Sequence, residues 1–153
     1  MRFLGNIEAK ADAKGRVFLP AVFRKALQQE GVEQLVLRTD VHERCLVLYP
    51  DKVWAEQMDA MRSRLNRWDR RQQQIFRQFV SEVEAVTLDG NGRILLSRRF
   101  MDAADIEQSV RFIGVGDTIE IWAVKGDDQP FMSPEDFGNA MQELMGSKTV
   151  PFE

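Results

Sequence analysis

The chain has 153 residues, 44% of them hydrophobic and 29% charged, which suits one ordinary globular domain or two very small halves sharing a core. No apolar run approaches the ~20 residues of a membrane-spanning helix, the first residues turn polar at once so that no secretory signal is expected, and Cys45, the single cysteine, excludes an intrachain disulfide and fits a reducing cytoplasm. The net charge of −3 argues mildly against a dedicated nucleic-acid binder, but the charge is polarised: residues 61–77 hold six arginines against Asp69 alone, and residues 126–153 hold six acids against Lys148 alone.

Residues 3–11 lack a helical period and run into a turn, which predicts a strand. Residues 12–15 are that turn: Asp12 accepts hydrogen bonds from amides just downstream, and Gly15 tolerates a positive φ. In the short strand that follows, period two puts Arg16 and Phe18 on one face and Val17 and Leu19 on the other. Pro20 opens a helix that carries Val22, Phe23, Ala26 and Leu27 at helical spacing and ends at Gly31. The apolar runs 34–38 and 45–49 predict a hairpin. From Asp51 a helix is predicted to about Asn66, with Val53, Trp54, Met58, Met61 and Leu65 on its apolar side. A second, from about Asp69 to Val80, carries Ile75, Phe76 and Phe79.

The chain then repeats itself. Asp89-Gly90-Asn91-Gly92-Arg93 restates Asp12-Ala13-Lys14-Gly15-Arg16 at an offset of 77 residues (89 − 12), and an apolar run follows each. Around it lie a predicted strand at 82–88, a strand at 93–96, a short helix at 98–104 with Phe100 in register with Phe23, and a hairpin from 111–115 and 118–123. Ser133-Pro134-Glu135-Asp136 is a helix start, and Phe137, Met141 and Met145 lie on the helix that ends at Gly146. The fold class expected is α+β: a duplicated β-rich module with pseudo-twofold symmetry, a mixed sheet or barrel-like core, and peripheral helices. The modules are 1–50 and 81–125, joined by a helical connector at 51–80 and followed by a C-terminal helix and tail at 126–153.

Arg16 leaves a tight turn at the root of a strand, so its guanidinium stands on a stiff mount. Its fork of donors matches phosphate oxygens, or guanine O6 and N7 in a DNA major groove. Arg93 repeats the arrangement, while Lys14, Arg24 and Lys25 supply salt-sensitive phosphate contacts. Phosphate repels carboxylates, so Asp12 and Asp89 are expected to hold the loop amides and brace the arginines, and Gly15 and Gly92 to permit the turn. The duller reading is a good hairpin turn whose arginine merely caps a carboxylate; its repetition favours the DNA reading. The arginine-rich connector is expected to pair with acids across a subunit interface in preference to DNA. His42 and Cys45 are two soft ligands without the rest of a zinc site, and as a catalytic pair they lack an orienting group. No metal, cofactor or small-molecule substrate is expected. Gly114-Val115-Gly116 precedes a strand and is a turn; Trp54, Trp68 and Trp122 are assigned to core or interface.

Residues spread over nearly the whole chain carry a family resemblance. They are Asp12, Lys14, Gly15, Arg16, Leu19, Pro20, Phe23 and Arg24; then Cys45, Leu46, Leu48, Tyr49, Pro50 and Trp54; then Arg70, Arg71 and Phe79; then Asp89, Gly92, Arg93 and Ile94; and last Gly116, Asp117 and Ile119-Glu120-Ile121-Trp122. In these the sequence resembles the MraZ family of bacterial transcriptional regulators, which carry two AbrB-like (swapped-hairpin) modules in one chain. The resemblance implies a cytoplasmic, nucleoid-associated regulator, not an enzyme. It implies a ring that binds short repeated G-rich boxes in double-stranded DNA upstream of its own operon of cell-division and cell-wall genes, as a repressor. A ring presents the same turn in the same sense from each subunit, so the sites read are direct repeats about one helical turn apart, with avidity supplying much of the affinity. Two departures leave the second half with fewer basic residues: Ser97 stands where the first half has Pro20, and Met101-Asp102 where it has Arg24-Lys25. The competing function is an AbrB-like interaction protein or antitoxin that sequesters a protein partner, which two folded modules argue against.

Overall fold

The computed structural model describes residues 2–126 and 130–146. The first half contains β1 (Phe3–Lys10), β2 (Arg16–Phe18), α1 (Ala21–Gln29), β3 (Gln34–Thr39) and β4 (Leu46–Pro50), and the connector contains α2 (Asp51–Arg64) and α3 (Arg70–Ser81). The second half contains β5 (Glu84–Thr87), β6 (Arg93–Leu95), α4 (Arg98–Ala103), β7 (Ser109–Gly116) and β8 (Ile119–Ala123), followed by α5 (Pro134–Met145). Every element expected from the sequence within the described residues is present, and α2 stops slightly before Asn66.

Six strands form one sheet in the order β1-β7-β8-β4-β3-β5, and β2 and β6 form a separate two-stranded ribbon. Exchanging β1 with β5, β3 with β7 and β4 with β8 turns the order into its own reverse, which is the pseudo-twofold symmetry of the duplication. The halves are interlocked. β1 pairs with β7 of the other half, from Phe3↔Gly116 to Lys10↔Ser109. β5 pairs in return with β3, from Gln34↔Thr87 to Leu37↔Glu84. The hairpins β3–β4 and β7–β8 form within their own halves and meet at the β4–β8 pairing. The sheet proves antiparallel at each of these pairings and stays open, with β1 and β5 as its edges, so neither parallel pairs nor a closed barrel form the core.

This exchange explains the burial. A half of this size on its own hides too little apolar surface to be stable. Interlocked, the two share one cluster that includes Phe3, Val17, Leu19, Phe23, Leu48, Ile94, Leu96, Phe100, Phe112 and Ile121. Each fully buried Leu, Ile or Phe contributes about 1.5–3 kcal/mol relative to exposure. Phe3 of β1 meets Phe23 of α1 edge to face, with ring centroids 5.9 Å apart. The connector is fastened by aromatic contacts: Trp54 stacks on Phe79 at 5.1 Å and meets Tyr49 at 5.2 Å, which ties α2, α3 and β4 together. Trp54 thus belongs to the core, whereas Trp68 is 95% exposed. The Trp122 indole N–H donates to Glu120 Oε1 at 2.9 Å. Asp69 caps α3 by accepting from the Gln72 amide at 3.1 Å, and Ser133 caps α5 by accepting from the Asp136 amide at 3.2 Å. The expected tail beyond Gly146 lies outside the described residues.

Candidate nucleic-acid interface

Each Asp-x-x-Gly-Arg segment folds into the same closed loop. In the first, Asp12 Oδ1 accepts from the amides of Lys14 and Arg16, both at 2.9 Å, and Asp12 Oδ2 accepts from Arg16 Nε at 2.7 Å. In the second, Asp89 Oδ1 accepts from the amides of Asn91 and Arg93, both at 2.9 Å, and Asp89 Oδ2 accepts from Arg93 Nε at 2.8 Å. Backbone bonds close each loop: the Asp amide donates to the Arg carbonyl, and the Gly amide donates to the Asp carbonyl. Gly15 and Gly92 sit at φ of +88° and +84°, where a side chain is strained. In each loop the aspartate carboxylate thus accepts from two backbone amides and from the arginine side chain.

The same bonds set the electrostatics. The Asp12 carboxyl is held below its ordinary value chiefly by the Arg16 backbone amide, then by the Arg16 side chain and the Lys14 amide, against an opposing desolvation. Asp89 is lowered in the same way, first by the Arg93 amide and then by the Asn91 amide and the Arg93 side chain. The first pair is open to water, with side-chain exposures of 37% and 38% for Arg16 and Asp12. In the second Arg93 is more covered, at 23% against 37% for Asp89. Partly exposed ion pairs of this kind add little stability. Their effect is orientation. The carboxylate takes Nε, the donor nearest the stem, and so tethers each guanidinium to its own turn at that nitrogen.

The ribbon brings the two arginines onto one face. β2 and β6 pair antiparallel with Arg16↔Leu95, Val17↔Ile94 and Phe18↔Arg93 in register. The central pair, Val17 and Ile94, is buried and anchors the ribbon in the core. By period two the other four residues share the outer face, on which Phe18 and Leu95 are 54% and 55% exposed. Arg16 and Arg93 are diagonal neighbours across that face, about 7–8 Å apart. The Arg93 guanidinium also lies over the Phe18 ring, 5.8 Å from its centroid. The turns are stitched together as well: the Leu96 amide donates to the Gly15 carbonyl at 2.8 Å, and the Leu19 amide donates to the Gly92 carbonyl at 3.0 Å.

Interlocking redistributes the remaining cations. Arg24 lies against the second turn, not its own: a Cβ on Gly92 would sit 2.6 Å from Arg24 Nη1. At the symmetric place Met101 covers Gly15, its Sδ 3.4 Å from where a Cβ would be. The first turn gains a cation from the other half in exchange. Arg98, at the start of α4, lines a cleft of about 330 Å³ with Asp12, Lys14, Gly15 and Glu107. Sequence reasoning missed Arg98, whose only local signal is a basic pair after Ser97; the other member, Arg99, is bound to Glu84 at 3.0 Å. Lys14 and Lys25 are exposed, on the first turn and on α1. Cys45 is buried, and burial pushes its thiol far above the ordinary range, which makes it a poor nucleophile at neutral pH. The backbone amide of His42 is bound to Asp40 Oδ2 at 3.0 Å in an exposed loop.

Two helix-flanked halves that exchange strands around a pair of aspartate-braced arginines define a duplicated swapped-hairpin protein with a basic ribbon face. The chain belongs to the MraZ family: a model for MraZ protein, whose description adds an antitoxin-like label, matches residues 2–78 and again residues 79–126. The chain is 62% identical over 147 residues to the transcriptional regulator MraZ of Phocaeicola vulgatus, covering 96% of each. It is 55% identical over 148 residues to the protein of that name from Bacteroides thetaiotaomicron, covering 97% of this chain and 95% of the other. A more distant relative of the same name, from Shewanella oneidensis, is 32% identical over 134 residues, covering 88% and 85% of the two chains.

Proposed function

We propose that this protein is a DNA-binding transcriptional regulator that reads double-stranded DNA through the outer face of the β2–β6 ribbon. The observation that carries the reading is the pair of arginines, each gripped at Nε by its own aspartate and both on that one face. A two-stranded ribbon fits a major groove about 12 Å wide, and two terminal guanidinium nitrogens match guanine O6 and N7. In this reading Arg16 and Arg93 contact base edges or phosphate, and Lys14, Arg24, Lys25 and Arg98 contact phosphate. Phe18 and Leu95 meet sugar or thymine methyl groups. Asp12, Gly15, Asp89 and Gly92 stay off the DNA and hold the turns.

Residues 1–50 and 81–125 act as the two modules, with 51–80 as connector and 126–153 as a helix and tail. The protein works in the cytoplasm on the nucleoid, without a cofactor or a small-molecule substrate. It assembles as a homo-oligomeric ring that presents successive ribbons to direct repeats and represses its own cell-division and cell-wall operon. The names of its relatives support the regulatory part of this reading. Fluorescence anisotropy with DNA from upstream of its own gene, titrated with salt, tests it. The logarithm of the affinity falls linearly with the logarithm of salt concentration, and Arg16→Ala weakens binding about 10- to 100-fold. Equal affinity for the variant, or no salt dependence, contradicts it. The antitoxin reading has only the family's antitoxin-like label in its favour; absence of DNA affinity at low salt would turn the balance towards it.

A further inference from the structure

The connector carries a second surface, distinct from the ribbon. A groove of about 890 Å³ opens between α3, the end of α2 and the loop after β3. Ile75, Phe79, Met61 and Val41 give it apolar walls, and Arg71 and Arg77 line it together with the acids Asp40 and Glu82. Arg38 also lines it and is only 6% exposed. The Arg38 guanidinium lies 4.5 Å from the Phe79 ring centroid, and its Nη1 donates to the Thr39 carbonyl. Arg38 Nε has no hydrogen-bond partner, and it is the one buried side-chain polar atom so left among the described residues. A buried charged donor without an acceptor is costly, and native proteins rarely leave one. The helix above it is uncovered too: α3 buries none of its residues, Ile75 included.

A complementary surface exists on the same chain. In α5, Phe137, Met141, Leu144 and Met145 recur at i, i+4, i+7 and i+8 and form one apolar stripe, yet all four are exposed and the helix buries nothing. A helix of 12 residues is marginal without a packing partner. Its charges are Glu135, Asp136 and Glu143, with no lysine or arginine between Pro134 and Met145. Asp136 and Glu143 stand seven residues apart, so both flank the stripe on one side.

We infer that the α3 groove is the docking site for α5 of a second copy of this chain. The inference rests on the homo-oligomer reading above and supplies its contact. The stripe of α5 covers Ile75 and Phe79, and its flanking carboxylates face the exposed Arg71 and Arg77 at the mouth of the groove, above the buried Arg38. Donor and acceptor surfaces differ, so the contact is head to tail and repeats from copy to copy, which closes a ring or extends a filament.

The test is the mass of the full chain without DNA, by size exclusion with light scattering. The proteins compared are the wild type, a groove variant (R71E/R77E), a helix variant (E135K/D136K/E143K) and an equimolar mixture of the two variants. The expected result is a multimeric wild type, lower mass for each variant alone, and recovery in the mixture, where opposite charges again face each other. All five positions are exposed, so circular dichroism should match the wild type. Should either variant unfold, F137S/L144S gives an uncharged check, with at least about a tenfold rise in the concentration for half-assembly. Wild-type mass in the helix variants overturns the docking and leaves the oligomer standing, as does a mixture of folded variants that stays apart. A wild type of single-chain mass at every concentration overturns both, including the case in which α5 folds back on its own groove. DNA affinity is a separate measurement: loss of assembly lowers it through lost avidity, and its salt dependence still reports on the ribbon.

Discussion

The turn at Asp12 and the turn at Asp89 differ by no more than 0.1 Å in the hydrogen bonds that shape them, yet their neighbours are not the same. The first is packed under Met101 and against the Leu96 backbone carbonyl, and the second under the flexible side chain of Arg24. The motif therefore settles how each arginine is presented, and the strand exchange settles what stands beside it. Duplication supplied two identical mounts, and later divergence acted on the residues that each half lends to the other.

Breaking the two glycines should give the largest contrast. A Cβ at Gly15 would lie 2.3 Å from the Leu96 carbonyl oxygen, which is backbone held in the ribbon, whereas at Gly92 it meets only the end of Arg24. Both substitutions incur about 1–2 kcal/mol for the left-handed conformation. Gly15→Ala adds a backbone displacement, for a total loss of about 3 kcal/mol or more, and Gly92→Ala stays near the conformational cost alone. Urea unfolding midpoints of the two variants measure the difference, and equal midpoints would remove the asymmetry.

Substituting lysine for each arginine sharpens the functional side. Arg16→Lys and Arg93→Lys keep the charge and lose the planar fork, so each should weaken binding to specific DNA by about 1–3 kcal/mol with the salt slope unchanged. Unchanged affinity and slope would mean that the arginines act only as charges. A smaller effect is expected from exchanging the neighbours. Arg24→Met removes one phosphate contact at the second turn and should lower the salt slope by about 0.9. Met101→Arg should raise it by a similar amount at the first.

The smallest effect is a pH dependence shared by both turns. Asp12 and Asp89 are lowered on folding, so their contribution is fully present above the unfolded carboxyl value of about 3.9 and is lost as pH falls through the folded value. The stability gap between the wild type and an Asp12→Asn/Asp89→Asn variant should be constant near neutrality and close only in stronger acid. A gap that closes near pH 6 would point to another group.

What the sequence revealed of this site was its local part. An aspartate with amides just downstream and a glycine free to take positive φ make a turn that needs no tertiary knowledge, and period two already set Arg16 beside Phe18. The partners of the strands were less legible. Alternation assigns faces to β1 and β5 and not neighbours, so nothing in residues 3–11 announces that they pair with 109–116. For the same reason Arg24 reads as an aid to Arg16 in the sequence and stands at Gly92 in the fold, and Arg98 gave no signal of its nearness to the first turn. The core was expected to be shared between halves, but its open antiparallel form depends on pairings that no single segment encodes.

The central claim is that Arg16 and Arg93 work as one surface. A double-mutant cycle on binding to the protein's own upstream DNA, at one fixed salt concentration, tests it most directly. Arg16→Ala and Arg93→Ala should each weaken binding about tenfold or more, and the double variant should lose preference for the specific sequence while keeping a salt-dependent residue of non-specific affinity. A double variant that still distinguishes its own upstream DNA from unrelated DNA as well as the wild type does would contradict the account.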